Sequence, residues 1–350
     1  AMIQTVNFIF IFLISLSFTK DLPLSYKYEL SFGYDDNFMR FSGSELNTNH
    51  NSNGSENDYL GDSKTYDSGI LGTSLQIKYS PKIINTYKSN IISKIKYNYY
   101  SSSDQKSYTS FLFRYEIKLA SYKWLKFSYS LMPDYYLRTY IDRDLTPYKR
   151  FPCTFSNETI YFSFSHKLLF DKTWIDYRFV LNNQFYNKYF TEFDSKISGI
   201  EITLKSKKVK NYYTSATLLY YKSDNVSYNP IENLQSSLMD RSYLRNGVKF
   251  NFKRTLKHSF LNTLGLKFYF NKRFYDLNSS FYDQDNWKTY SDYDLRFELS
   301  KKISNSIDLI FSTRHFKRIV NSSNSSEVDW VEDYKNYNRN EMWLKFVYIF

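Results

Sequence analysis

From Tyr26 to Phe350 the chain repeats one unit, a run of alternating apolar and polar residues, and the links between the runs alternate in length. Tyr28, Leu30, Phe32 and Tyr34 alternate with Lys27, Glu29, Ser31, Gly33 and Asp35; Phe111, Phe113, Tyr115, Ile117 and Leu119 oppose Arg114, Glu116 and Lys118. Met342, Leu344, Phe346, Tyr348 and Phe350 close the series against Trp343, Lys345, Val347 and Ile349. Period-two alternation puts all the apolar residues of a run on one face of a strand, and about fourteen such runs can be marked. Links after odd-numbered runs are mostly long and polar, near 43–67, 133–153, 222–241, 273–288 and 319–338. Links after even-numbered runs, such as Ala120 to Lys123, His166 to Lys172, Ser206 to Lys210 and Lys257 to Ser259, are short. A β-sandwich has no reason to sort its loops by parity, whereas an up-and-down barrel across a membrane has turns at one end and loops at the other. The pattern therefore predicts an all-β protein, a transmembrane antiparallel up-and-down β-barrel of about 14 strands.

Composition agrees with one oily face per strand. The chain of 350 residues holds 36 Tyr, 31 Phe and 5 Trp, so 21% is aromatic, yet mean hydropathy is only −0.55. With 9 Gly and 6 Pro it is neither a glycine-rich solenoid nor a disordered chain. A formal charge of +12 raises the question of nucleic acid. The longest basic block is Lys205-Ser-Lys-Lys-Val-Lys210, with no recognition-helix or RNA-binding aromatic motif, so no nucleic-acid partner is expected. The single cysteine, Cys153, excludes an internal disulfide framework. Residues Val6 to Phe18 form an apolar run too short to span a bilayer, read as an export signal over 1–19, with one barrel domain over 20–350.

The final strand, with Phe346, Tyr348 and terminal Phe350 two apart, resembles the C-terminal signal of bacterial outer-membrane β-barrel proteins. The resemblance implies a bacterial outer-membrane location and two partners, outer-membrane lipid and the barrel-assembly machinery that reads such signals. The segment Gly33-Tyr-Asp-Asp-Asn37 is similar to the first strand of barrel porins linked to exopolysaccharide export, which identifies no substrate. Trp124 and Trp174 open strands after short turns, while Tyr99-Tyr100, Tyr135-Tyr136, Tyr220-Tyr221 and Tyr290 close or open strands beside long loops; these are read as two interfacial girdles.

If the apolar face meets lipid, the other lines a lumen rich in cations: Lys94, Lys96, Arg114, Lys118, Lys126, Arg178, Arg245, Lys249, Lys267, Arg296 and Arg314. One reading is a passive, porin-like channel that prefers small anionic solutes or a polyanionic polysaccharide. The other is that the charges pair across strands, as in Arg114 with Glu116 or Asp294-Arg296-Glu298, and fill the barrel. A non-conducting barrel could then display loops for adhesion or serve a secretion or polysaccharide-export complex, and a pair of soluble sandwiches remains a third reading. The stretch 43–67 is read as a solvated loop in which no core can form. Enzyme activity is not expected: His50, His166, His258 and His315 are far apart, so no metal or cofactor site is specified, and only His315 has Ser312 and Thr313 beside it.

Overall fold

The computed structural model describes residues 23–51, 60–63, 65–81, 87–142, 144–145, 149–207, 209–229, 240–256, 260–276, 287–322 and 335–350. The export signal expected at 1–19, His50's side chain and His258 lie outside the described residues. Fourteen strands account for most of the rest: β1 (Leu24–Asp35), β2 (Ser68–Tyr79), β3 (Lys88–Tyr100), β4 (Tyr108–Ala120), β5 (Lys123–Asp142), β6 (Lys149–Lys167) and β7 (Thr173–Tyr186). They continue as β8 (Ser195–Ser206), β9 (Tyr212–Asn225), β10 (Tyr243–Thr255), β11 (Thr263–Asp276), β12 (Trp287–Lys302), β13 (Ile307–Ser322) and β14 (Tyr337–Ile349). Each strand pairs antiparallel with its neighbours in sequence, and β1 pairs with β14 to close the barrel.

The seam runs from Lys27↔Ile349 to Asp35↔Glu341. Beyond it, Tyr26 and Phe350 exchange backbone hydrogen bonds of 2.8 and 3.0 Å and stack their rings 5.4 Å apart. The terminal residue thus extends the ladder that abolishes the sheet's free edges.

Phe32, Phe113, Phe162, Phe179, Leu218, Phe250 and Met342 are each between 41% and 65% exposed, on strands spread around the whole wall. No second layer covers them among the described residues, which removes the sandwich reading. Soluble monomers rarely expose contiguous apolar patches beyond a few hundred Å², so this wall is a lipid-facing surface and the molecule is an outer-membrane-type barrel.

Three expectations are corrected. The first concerns 43–67, whose described residues are not simply a solvated loop. A helix, α1 (Gly43–Asn51), begins there with a reciprocal cap: the Glu45 amide donates to Ser42 Oγ at 3.1 Å and the Ser42 amide to Glu45 Oε2 at 2.8 Å. Phe38, Met39, Phe41 and Leu60 are almost completely buried against Ile70, Tyr100 and Tyr136, with Tyr108 and Trp343 packed alongside. Those partners come from the inner faces of β2, β3, β4, β5 and β14, so the first long connection folds into the barrel.

The second concerns 133–153, most of which is strand. β5 and β6 continue outward with Tyr135↔Phe155, Tyr140↔Phe151 and Asp142↔Lys149 in register, and the ladder slips between Met132 and Tyr135 and again between Tyr136 and Arg138. These irregularities accommodate Pro133, which reads as a strand stop but is tolerated at a bulge. The long connections near 222–241, 273–288 and 319–338 likewise yield their first or last residues to β9, β11, β12, β13 and β14.

The third concerns the girdles. Trp124 lies on the same face of β5 as Lys126, and Trp174 on the same face of β7 as Asp176, so both point into the lumen. Tyr100, Tyr135, Tyr136 and Tyr221 are buried, and Tyr290 faces inward beneath the Arg318 guanidinium. Of the residues assigned to a girdle, Tyr99 shares the outward face of Ile95 and Tyr97, and Tyr220 is exposed on the outside at 52%.

Candidate functional site

The lumen is built by the second face of each strand, and its entrance at the long-loop end is shaped by Gly33 to Asn37. Gly33 faces Trp343 across the seam, and a Cβ there would lie 2.6 Å from the indole ring. The Tyr34 hydroxyl donates to Asp67 Oδ2 at 2.7 Å, tying the start of the inserted segment to its return. Asp35, fully buried, accepts from Arg339 Nε at 2.8 Å; Asp36 accepts from the Asn340 backbone and side-chain amides at 2.6 Å each. Asn37 accepts from the Phe41 amide and donates to the carbonyls of Phe41 and Asn338, each at 2.8 Å. These residues turn the chain off β1 and into the barrel.

Inside, the segment is held by ions. Arg138 of β5 makes a two-pronged pair with Glu45 of α1, at 2.5 and 3.1 Å, and its guanidinium lies 5.1 Å from the Phe41 ring. Lys106, in the 3-10 turn Asp104–Lys106 and fully buried, donates to the carbonyls of Tyr136 and Leu137 at 2.8 and 2.9 Å. Its burial pushes the amine down to about 8, against the opposing pull of Tyr135. Lys335, just before β14, places its amine 5.6 Å from the Tyr140 ring, and burial, with Arg138 nearby, pushes it down to about 7. The sequence reading named none of Glu45, Arg138, Lys106 and Lys335 as site residues; the Ser42-x-x-Glu45 cap was the available signal.

The eleven cations assigned to the lumen all lie on inward faces, but they divide into two groups. On one wall most of them are ion-paired. Arg178 and Lys249 both reach Glu201, at 2.9 and 2.6 Å; Lys267 reaches Glu298 at 3.5 Å; Arg296 and Arg314 share Asp294 at 2.7 Å each, and Arg314 also reaches Glu341 at 2.7 Å. Nearby, Arg273 and Arg318 bracket Asp292 at 3.3 and 2.6 Å. Each of those carboxylates but Glu298 is nearly buried, while Arg178, Lys249, Lys267 and Arg296 stay 36–50% exposed to the lumen. Arg114 pairs more loosely with Glu116, at 3.8 Å.

The remaining cations have no carboxylate within ion-pair distance among the described residues. Lys94 and Lys96 on β3, Lys118 on β4 and Lys126 on β5 form an arc with Lys345 of β14. Their registers bring Lys27, Gln76 and Lys94 into one row and Glu29, Ser74 and Lys96 into the next. Lys96 and Lys345 lie 5.9 and 5.8 Å from the Trp343 ring, and Lys118 and Lys126 lie 5.6 and 5.7 Å from that of Trp124. Arg245, on the opposite wall, stacks 4.1 Å from the Tyr221 ring. One wall is therefore ion-paired, with two cations sharing Glu201 and two sharing Asp292, whereas the other presents ammonium groups that make no direct ion pair among the described residues.

At the short-turn end lies a cavity of about 510 Å³ bordered by Lys118, Lys126, Trp124, Trp174, Tyr213 and Lys207. The other positions singled out by sequence are scattered. His315 faces outward, its Nδ1 2.7 Å from Asn340 Oδ1, while Ser312 is on the inward face, so strand parity separates them. Phe346 and Tyr348 face outward at 39% and 44% exposure, and Phe350 sits on the seam.

No protein-family model matches the chain, and no curated protein matches it in sequence. Among solved structures, it is similar to the anion-selective porin from Comamonas acidovorans at 8% identity and a TM-score of 0.43, covering 94% of this chain and 99% of that one. The outer membrane channel DcaP of Acinetobacter baumannii gives 13% and 0.43 over 94% and 97%, and Pseudomonas aeruginosa OprD gives 8% and 0.38 over 93% and 95%. Likenesses of this size assign neither a family nor a solute.

Proposed function

We propose that the protein is a passive channel of the bacterial outer membrane that favours small anionic solutes, with the inserted segment around α1 narrowing its outer half. The observation that carries this reading is the uncompensated arc of Lys94, Lys96, Lys345, Lys118 and Lys126. Charges paired with buried carboxylates have part of their field cancelled, whereas ammonium groups without a direct ion-pair partner along a low-dielectric wall raise the local concentration of anions. The exterior supports insertion in outer-membrane lipid, and Phe346, Tyr348 and Phe350 support recognition by the barrel-assembly machinery. The inserted segment and the Arg–carboxylate network favour a second reading, a barrel closed at rest.

Planar-bilayer recording tests both. A reversal potential in a KCl gradient on the chloride side is expected, and a cation-side potential would overturn the anion preference. Deleting 43–62 should enlarge the unit conductance. A silent wild-type barrel that conducts only after this deletion would establish the closed form, and silence in both would overturn the channel reading.

A further inference from the structure

The cavity at the short-turn end has a composition that bulk ion conduction does not require. Trp124, Trp174, Tyr122 and Tyr213 line it together with Lys118, Lys126, Lys205 and Lys207. Asp176 also lines it, and among the described residues the one direct ion pair of these lysines is Lys205 with Asp176 at 2.7 Å. The rings are assembled, with Tyr122 and Trp174 centred 4.9 Å apart and Trp174 and Tyr213 6.3 Å apart. Lys118 and Lys126 lie over the Trp124 ring, so their ammonium groups border the aromatic surface. A volume of about 510 Å³ falls within the range of small-molecule sites, roughly 300–1,000 Å³.

Aromatic platforms and uncompensated cations select for different things. The ring faces gain free energy from a flat or CH-rich body that displaces water from them. The lysines gain from an anionic group but discriminate little between anions, because an ammonium is a compact charge without the planar fork of arginine. A solute that satisfies both carries a carboxylate on a six-membered ring. On the premise that the barrel conducts anions, we infer that this cavity is a saturable binding site for ring-bearing carboxylates, at which such solutes are held at the short-turn end of the lumen. A sugar acid and an aromatic acid share that chemistry, and the test separates them.

Calorimetric titration of the whole, detergent-solubilised barrel with four probes provides it. Glucuronate and benzoate carry ring and charge, acetate carries charge alone, and glucose carries a ring alone. The expected result is one saturable site for glucuronate, benzoate or both, with acetate and glucose about tenfold weaker or more, the loss of a charge-assisted contact or of a stacked ring. Whichever ring acid binds identifies the source. The double variant K118Q/K126Q and the single variant W124L should each weaken binding about tenfold. Lys222→Gln, outside the cavity and paired with Asp224 at 2.9 Å, should not change it, and heat-modifiable migration on a gel establishes that each variant is folded. Equal affinity for acetate and glucuronate, equal affinity for glucose and glucuronate, or unchanged affinity in K118Q/K126Q would each overturn the site. The conduction premise fails separately: a barrel that passes chloride but binds no ring acid removes the site alone, and one that binds a ring acid but carries no current removes the channel alone.

Discussion

Single residues set how the first connection enters the barrel, and Gly33 is the tightest of them. With the indole of Trp343 where a Cβ would sit, Gly33→Ala must displace a ring whose Nε1 donates to Glu341 Oε2 at 3.0 Å. Glu341 in turn pairs with Arg314 and Arg339. Overpacking of this kind costs about 1–3 kcal/mol. Gly33→Ala is expected to lower the urea midpoint in micelles and shift the tryptophan emission, and unchanged values would show that Trp343 swings aside freely. Lys335 offers a pH-dependent counterpart. Burial holds its amine at about 7, whereas an unfolded lysine keeps its proton up to about 10.4. Between those values the unfolded chain binds more protons, so this group makes stability rise with pH above 7 and adds nothing further above its unfolded range. Lys335→Met should therefore flatten the rise in urea midpoint between pH 7 and 10 relative to the parent. A rise of the same size in both proteins would place the amine in water instead.

At the scale of elements, the segment around α1 decides whether the lumen is narrow. Removing one partner of a buried ion pair leaves an uncompensated charge and costs about 3–5 kcal/mol; Arg138 and Glu45 side chains are only 10% and 8% exposed. Glu45→Ala should release the segment, seen as faster proteolysis within 43–62 and larger or noisier current steps. Glu45→Gln with Arg138→Gln, which removes both charges, should be milder than either single change. This element was only partly legible in the sequence. The strands announced themselves because each keeps one predominantly apolar face, a signal that survives without knowledge of partners. The inserted segment carries no such repetition: its buried apolar residues Phe38, Met39 and Phe41 precede the polar stretch, Leu60 stands alone, and the short Ser42-x-x-Glu45 cap was the one local mark. Pro133 and Pro152 hid the outer extensions of β5 and β6, because a proline at a bulge or beside a register slip looks the same as a strand stop. The inward set of Lys94 to Arg314 followed from parity alone, and parity also shows that Trp124 and Trp174 face inward with Lys126 and Asp176. Pairing was legible in part: Arg114 meets Glu116 and Arg296 meets Asp294 as read, but Glu298 meets Lys267 on the adjacent strand rather than Arg296 on its own, and such diagonal choices depend on shear and rotamer.

For the whole molecule the decisive property is the difference between the two walls. The β7 to β14 side offers Glu201, Asp294 and Glu341 already occupied by Arg178, Lys249, Arg296 and Arg314. The arc from β14 through β1 to β5 carries Lys345, Lys27, Lys94, Lys96, Arg114, Lys118 and Lys126, with Glu29, Glu116 and the Arg339-paired Asp35 among its carboxylates. On the proposed channel reading, an ion crossing the lumen would meet a transverse field rather than a uniform ring of charge. Replacing Lys94, Lys96 and Lys345 together by Gln should move the reversal potential most of the way toward zero. Arg296→Gln should move it little, because Asp294 keeps Arg314 as a partner. Salt separates this field from a selectivity fixed by bore. The Debye length is about 10 Å at 0.1 M and about 3 Å at 1 M, so ammonium groups acting across the lumen lose their reach over that interval while a steric filter does not. The chloride preference of the parent barrel is expected to be clear at 0.1 M and strongly reduced at 1 M KCl, and the triple Gln variant should show little difference between the two. A preference that persists at 1 M, or one that survives loss of the three lysines, would move the origin of selectivity from the exposed wall to the narrowing around α1.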